Sequence, residues 1–164
     1  MRTSARRSVA AGLAAAAVAA AAVVIAPPVG AAPLGRLTPR ELRIDQYVNG
    51  DCTVVVRAVV PYSSREAAQY AIDNGVSFYI TLRADDLGFD EILGGPYRVQ
   101  QDVVSVTDAD EVGFTQHITS KSCSDLDEDD VLFDLRDEIY AGIDYYGLAG
   151  STQYRETRVW RGYL

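Results

Sequence analysis

The chain has 164 residues, 23 acidic against 15 basic, and carries a net charge of −8. Such a balance argues against nucleic acid or anionic membrane as a partner. The length fits one ordinary domain with a real core. Two cysteines and a single histidine leave little for a thiolate metal site or a histidine-based triad.

In chain order, Arg2, Arg6 and Arg7 precede an alanine-rich run from Val9 to Ala26, closed by "APPVGAAP". Val29 and Ala31 meet the small-residue requirement at minus three and minus one. The start therefore predicts a signal peptide over residues 1–31, cut after Ala31. The Arg6-Arg7 pair matches only part of a twin-arginine signal, and no cysteine near the cut invites a lipid anchor. An uncleaved anchor is the alternative, but alanine is weakly apolar and the run is short for a spanning helix. Cleavage would remove three arginines and no acid, taking the net charge from −8 to −11. The expectation is a secreted, extracellular protein with no membrane association. Cys52 and Cys123 are then read as one disulfide in an oxidising compartment. It closes a loop of about 70 residues, worth about 4 kcal/mol of lost unfolded-state entropy.

After a lead over residues 32–40, Leu42 and Ile44 share one side of a strand that reaches Tyr47. Asn49-Gly50 predicts a tight hairpin with positive φ at both central positions. The returning strand, Cys52 to Val60, contains "TVVVRAVV" and is β-branched enough for burial on both faces. Ser63 with Glu66 reads as a capping box and Gly75 as a left-handed C-terminal cap, so a helix lies between them. Its stripe is Ala67, Tyr70, Ala71 and Asn74. From Val76 to Arg83 the alternation is strict, with Val76, Phe78, Ile80 and Leu82 inward. "ADDLGFDEILGGP" reads as an acidic loop in which Gly94-Gly95-Pro96 turns. Strands follow from Tyr97 to Thr107 and from Val112 to Ser120, the second with Phe114 and Ile118 on one face. "CSDLDEDD", residues 123–130, is the next loop. Ile139, Ala141, Ile143 and Tyr145 alternate again, and a last strand spans Gln153 to Tyr163. About seven strands with one inserted helix predict a mainly β, antiparallel β-sandwich over residues 41–164.

Several of these stretches occur together elsewhere. "VVPYSSREAAQYAIDNGVSFYITLRADDLGFDEILGGPY", "DLRDEIYAGIDYY" and "ETRVWRGYL" resemble segments of small secreted proteins of actinobacteria. The resemblance covers most of the chain after residue 31 and implies secretion and a β-rich fold. It supplies no catalytic residues. One departure stands out: "LRADD" lacks the tryptophan that those proteins carry before the double aspartate. If that tryptophan serves a binding surface, this chain lacks the activity.

Calcium is the sharpest chemical expectation. A hard cation takes six to eight oxygens, and acidic loops at one end of a sandwich supply them when they converge. Asp85, Asp86, Asp90 and Glu91 come from one loop; Asp125, Asp127 and Asp129 come from another. The second opens like an EF-hand, but Asp130 stands where glycine is needed and Arg136 where glutamate is needed, so a regular EF-hand is excluded. The bland alternative is a pair of solvated acidic loops. His117, beside Thr115 and Thr119, reads as an ordinary surface residue. No nucleophile elbow is present. The chain is accordingly read as non-enzymatic, an interaction module for an extracellular protein or carbohydrate. A small hydrolase using loop carboxylates and a protease-inhibitor-like domain are the alternatives; the inhibitor needs a rigid exposed loop, and the turn from Gly147 to Ser151 is short for that. Of ten tyrosines, Tyr79, Tyr140 and Tyr146 fall on the outward side of their strands and form the expected binding surface.

Overall fold

Period-two alternation in this chain becomes two packed antiparallel sheets. The computed structural model describes residues 32–84, 91–120, 122–126 and 137–164. The predicted signal peptide lies outside them. The strands are β1 (Thr38–Gln46), β2 (Cys52–Pro61), β3 (Ser77–Ala84), β4 (Ile92–Arg98), β5 (Val104–Val106), β6 (Glu111–Ser120), β7 (Asp137–Tyr146), β8 (Thr152–Glu156) and β9 (Trp160–Gly162). One sheet runs β1-β2-β6-β5; the other runs β4-β3-β7-β8, with β9 also on β7. The predicted β-sandwich with one short helix is the observed fold.

Two predicted strands are each divided. The stretch from Tyr97 to Thr107 gives its first part to β4 and its last to β5, in opposite sheets, with a 3-10 turn at Gln101–Val103 between them. Buried apolar residues stand on either side of this crossover, at Val99 and Val104. Residues 153–163 are broken between β8 and β9, both of which pair with β7. The glycines before Pro96 lie inside β4, not in a turn. β4 is an edge strand, where a proline's missing N–H leaves no ladder bond unmade.

The β1–β2 hairpin also differs from the expected two-residue turn. Gly50 N–H donates to Tyr47 O at 2.9 Å, and Tyr47 N–H donates to Asp51 O at 2.9 Å. Val48 and Asn49 occupy the turn, and Gly50 alone takes positive φ, at 84°. This is the three-residue loop closed by a glycine bulge. The β5–β6 hairpin repeats it: Asp110 N–H donates to Thr107 O, Thr107 N–H to Glu111 O, and Asp110 takes φ 57°.

The helix α1 spans Arg65–Asp73. Its N-cap is Ser64, one residue later than predicted, because the Ser64 hydroxyl accepts the Ala67 N–H at 3.3 Å. Its C-terminus is a Schellman motif, with Gly75 N–H donating to Ile72 O and Val76 N–H to Ala71 O. The buried stripe is Ala67, Ala68 and Ala71, while Asn74 is exposed. Three small residues let the helix sit close against β5 and β6.

Between the sheets, Val54, Val56, Ala58 and Val60 of β2 and Phe114 of β6 face Phe78, Ile80 and Leu82 of β3 and Ile139, Ala141, Ile143 and Tyr145 of β7. Phe78 touches Phe114 of the opposite sheet at 4.9 Å between ring centroids and Tyr145 at 5.1 Å. The Tyr145 and Tyr62 hydroxyls share a buried hydrogen bond of 2.6 Å, and burial pushes both phenols up from their usual range. Cys52 and Cys123 are disulfide-bonded at a sequence separation of 71, as expected from the sequence.

Candidate functional site

The two acidic segments fall mostly beyond the described residues: Asp85, Asp86, Asp90, Asp127 and Asp129 lie outside them. Glu91 and Asp125 are described, and both are exposed. Their neighbourhoods are connected through the sheet. Ala84, the last residue of β3, pairs with Ile139 at the start of β7, and its N–H donates to Glu91 O at 3.0 Å. The first acidic segment therefore leaves β3 beside the start of β7, which the chain enters seven residues after Asp130. Among the described residues no group of three or more acidic, histidine or cysteine side chains is placed to hold a metal.

The predicted tyrosine surface fares differently for each member. Tyr79 and Tyr146 come together on the outer face of the five-stranded sheet, with ring centroids 5.5 Å apart and planes at 86°. Tyr146 is 46 % exposed. Tyr140 is a correction: it is only 5 % exposed. It shares the outer side of β7 with Tyr146, but β7 is a central strand, with Arg83 of β3 opposite Tyr140 and β9 along its other edge. Alternation identifies the side of a strand and not how much its neighbours cover.

The register of β3, β7 and β8 builds the rest of this face. Because Phe78, Ile80, Ile143 and Tyr145 are in the core, pleating turns Ser77, Tyr79 and Thr81, and Gly142, Asp144 and Tyr146, to the outside. Tyr79 lies opposite Asp144, which lies opposite Tyr154; Ser77 lies opposite Tyr146. Ser77, Tyr79, Thr81, Asp144 and Tyr146, with Pro96 from β4, line an open groove of about 550 Å³. Pro96 is seated there through Gly95, whose backbone comes so close to β3 that an added Cβ would meet Ile80 O at 2.6 Å. No side chain fits that position.

Next to the groove, the Tyr154 ring covers Gly142. An added Cβ on Gly142 would lie 2.7 Å from the Tyr154 hydroxyl. That hydroxyl donates to Glu156 Oε1 at 2.8 Å. Burial first, and the Glu156 hydrogen bond second, push the phenol up to about 12. It is thus held protonated and oriented at ordinary pH. Asp144 forms no hydrogen bond and no salt bridge among the described residues.

Asp144, Pro96 and Tyr154 were not singled out by the sequence. Asp144 sits in "GIDYY" two residues before Tyr146, so it shares the outward side that alternation already assigns. What was lacking is the pairing of β3 with β7, which sets Asp144 opposite Tyr79. His117 is exposed on the outer face of the other sheet, with exposed Thr115 and Thr119 on either side along β6, as expected.

No family model, curated protein or solved structure matches the chain.

Proposed function

We infer that this protein is an extracellular binding module that engages a partner through the groove on its five-stranded sheet. One observation carries the reading: two tyrosines, a carboxylate and two hydroxyl side chains, brought from β3 and β7, converge with Pro96 on one open face. Tyrosine supplies rigid contact area with a hydrogen-bonding tip and loses little conformational entropy when bound. The disulfide and the signal-like start support an extracellular setting. Among the described residues no helix is long and apolar enough to cross a membrane. Calcium recruited by the acidic segments is part of the same reading, as a stabiliser of the end of the sandwich away from the groove. The density of carboxylates in these two segments supports it.

The test is a comparison of the wild type with a Tyr79→Ala/Tyr146→Ala double variant on arrays of extracellular glycans and peptides. Thermal midpoints serve as the control for folding. Ligands held by the wild type and lost by a folded variant support the groove. Ligands held equally by both assign binding to another surface and overturn it.

A further inference from the structure

We propose that the groove accepts a cationic side chain, foremost the guanidinium of an arginine, from a basic extracellular protein. This rests on the binding role inferred for the same face and names what it binds.

Three features lead there. The Tyr79 and Tyr146 planes stand at 86°, so the rings form a corner and not a flat platform. A sugar ring stacks best on an open, coplanar aromatic surface; a cation is drawn to the negative face of a ring and gains from two faces at once. Asp144 is in direct register with Tyr79 and stands two residues from Tyr146, yet it has no hydrogen-bond or salt-bridge partner among the described residues. An unpaired carboxylate flanked by aromatic faces favours a counter-charge supplied from outside. A guanidinium satisfies both demands together, stacking its plane on a ring while its N–H fork meets the carboxylate. The third feature is long-range: at −8 for the whole chain, the molecule's field draws basic partners and repels acidic ones.

Other charged groups border the groove without filling it. Arg98 of β4 is in register with Tyr79, and Arg83 is two residues beyond Thr81. Neither lines the groove. Glu156, across from Gly142, is engaged by the Tyr154 hydroxyl. Asp144 is therefore the carboxylate open to a ligand on this face.

The probe is the neutral-ended peptide acetyl-Gly-Arg-Gly-Arg-Gly-amide, titrated into the isotope-labelled, disulfide-bonded protein with backbone amide shifts as the readout. Saturable shifts are expected at Ser77, Tyr79, Asp144 and Tyr146. Asp144→Asn and Tyr146→Ala each weaken binding about tenfold, while Tyr146→Phe, which keeps the ring face, binds like the wild type. Asp51→Asn, at the disulfide end, changes the net charge equally and leaves affinity unchanged. If Asp51→Asn weakens binding as much as Asp144→Asn, only net charge is being sensed and the proposal falls. It falls equally if the peptide shifts no groove residue. A parallel titration with neutral cello- and chito-oligosaccharides then separates the two failures. Sugar-induced shifts at Tyr79 and Tyr146 would retain the groove as a binding face and remove the cation; silence at these residues on the arrays and in both titrations would remove the groove as well.

Discussion

At the scale of single residues, a buried threonine makes a substitution that leaves the surface untouched consequential for the fold. β8 and β9 both run along β7, and where the chain breaks between them Thr157 completes the missing rung. Its N–H donates to Ala141 O at 2.9 Å, and its hydroxyl accepts the Ala141 N–H at 2.9 Å. Thr157 is buried, so water cannot take over. Thr157→Val keeps the shape and strands the Ala141 amide. It is expected to cost about 1–3 kcal/mol, read as a lower denaturant midpoint at unchanged slope. Thr157→Ser keeps the hydroxyl and should cost clearly less; a loss seen in Thr157→Ser and absent from Thr157→Val would show that the methyl packing, not the hydrogen bond, matters. Tyr140 teaches a related lesson. Its side of the strand was legible from period two, but its exposure was not, because cover comes from Arg83 and from neighbouring strands distant in sequence.

At the scale of elements, the helix shows a local rule working one residue out of step. Ser64, not Ser63, caps it, and Glu66 turns back to its own N–H and to the Ser64 hydroxyl. Those hydrogen bonds, the backbone one first, lower the Glu66 carboxyl from its ordinary 4.5. A folded pKa below the unfolded one means the contribution is fully present above 4.5 and is lost as pH falls through the folded value. Glu66→Gln should therefore melt below the wild type at neutral pH and match it in strong acid. A gap between the two that does not narrow on acidification would refute this account. Within elements, much was legible: the inward set from Val76 to Leu82 and the set from Ile139 to Tyr145 needed only alternation. Between elements, little was. Nothing local distinguishes Tyr97–Thr107 as one strand from β4 and β5 in opposite sheets, since apolar residues continue through the crossover. The groove was half legible for the same reason: Tyr79 and Tyr146 are each marked by their own strand, whereas their meeting across Asp144 depends on which strands pair.

At the scale of the whole molecule, the sandwich has two unlike ends. The groove lies where β3 begins and β7 finishes. The first acidic segment leaves where β3 finishes, beside the start of β7, and the second begins at the disulfide of the same end. Where like charges crowd together they destabilise a folded state relative to an expanded chain, and a bound divalent cation relieves them. If calcium binds only the folded protein, a concentration one hundred times its dissociation constant adds about 2.7 kcal/mol and raises the melting midpoint by several degrees. Magnesium, which dehydrates reluctantly, should do less. A midpoint equally indifferent to chelator, calcium and magnesium would make the acidic segments plain solvated loops. The disulfide at this end has one more consequence. Cys52 pairs with Ser120 at the last position of the ten-residue β2–β6 ladder, and Cys123 follows three residues later, its N–H donating to Gly50 O at 2.9 Å. A slip of one residue would turn Cys52 to the opposite face and away from its partner. The closed bond therefore holds β2 in its alignment against β6 as well as bracing this end of the sandwich.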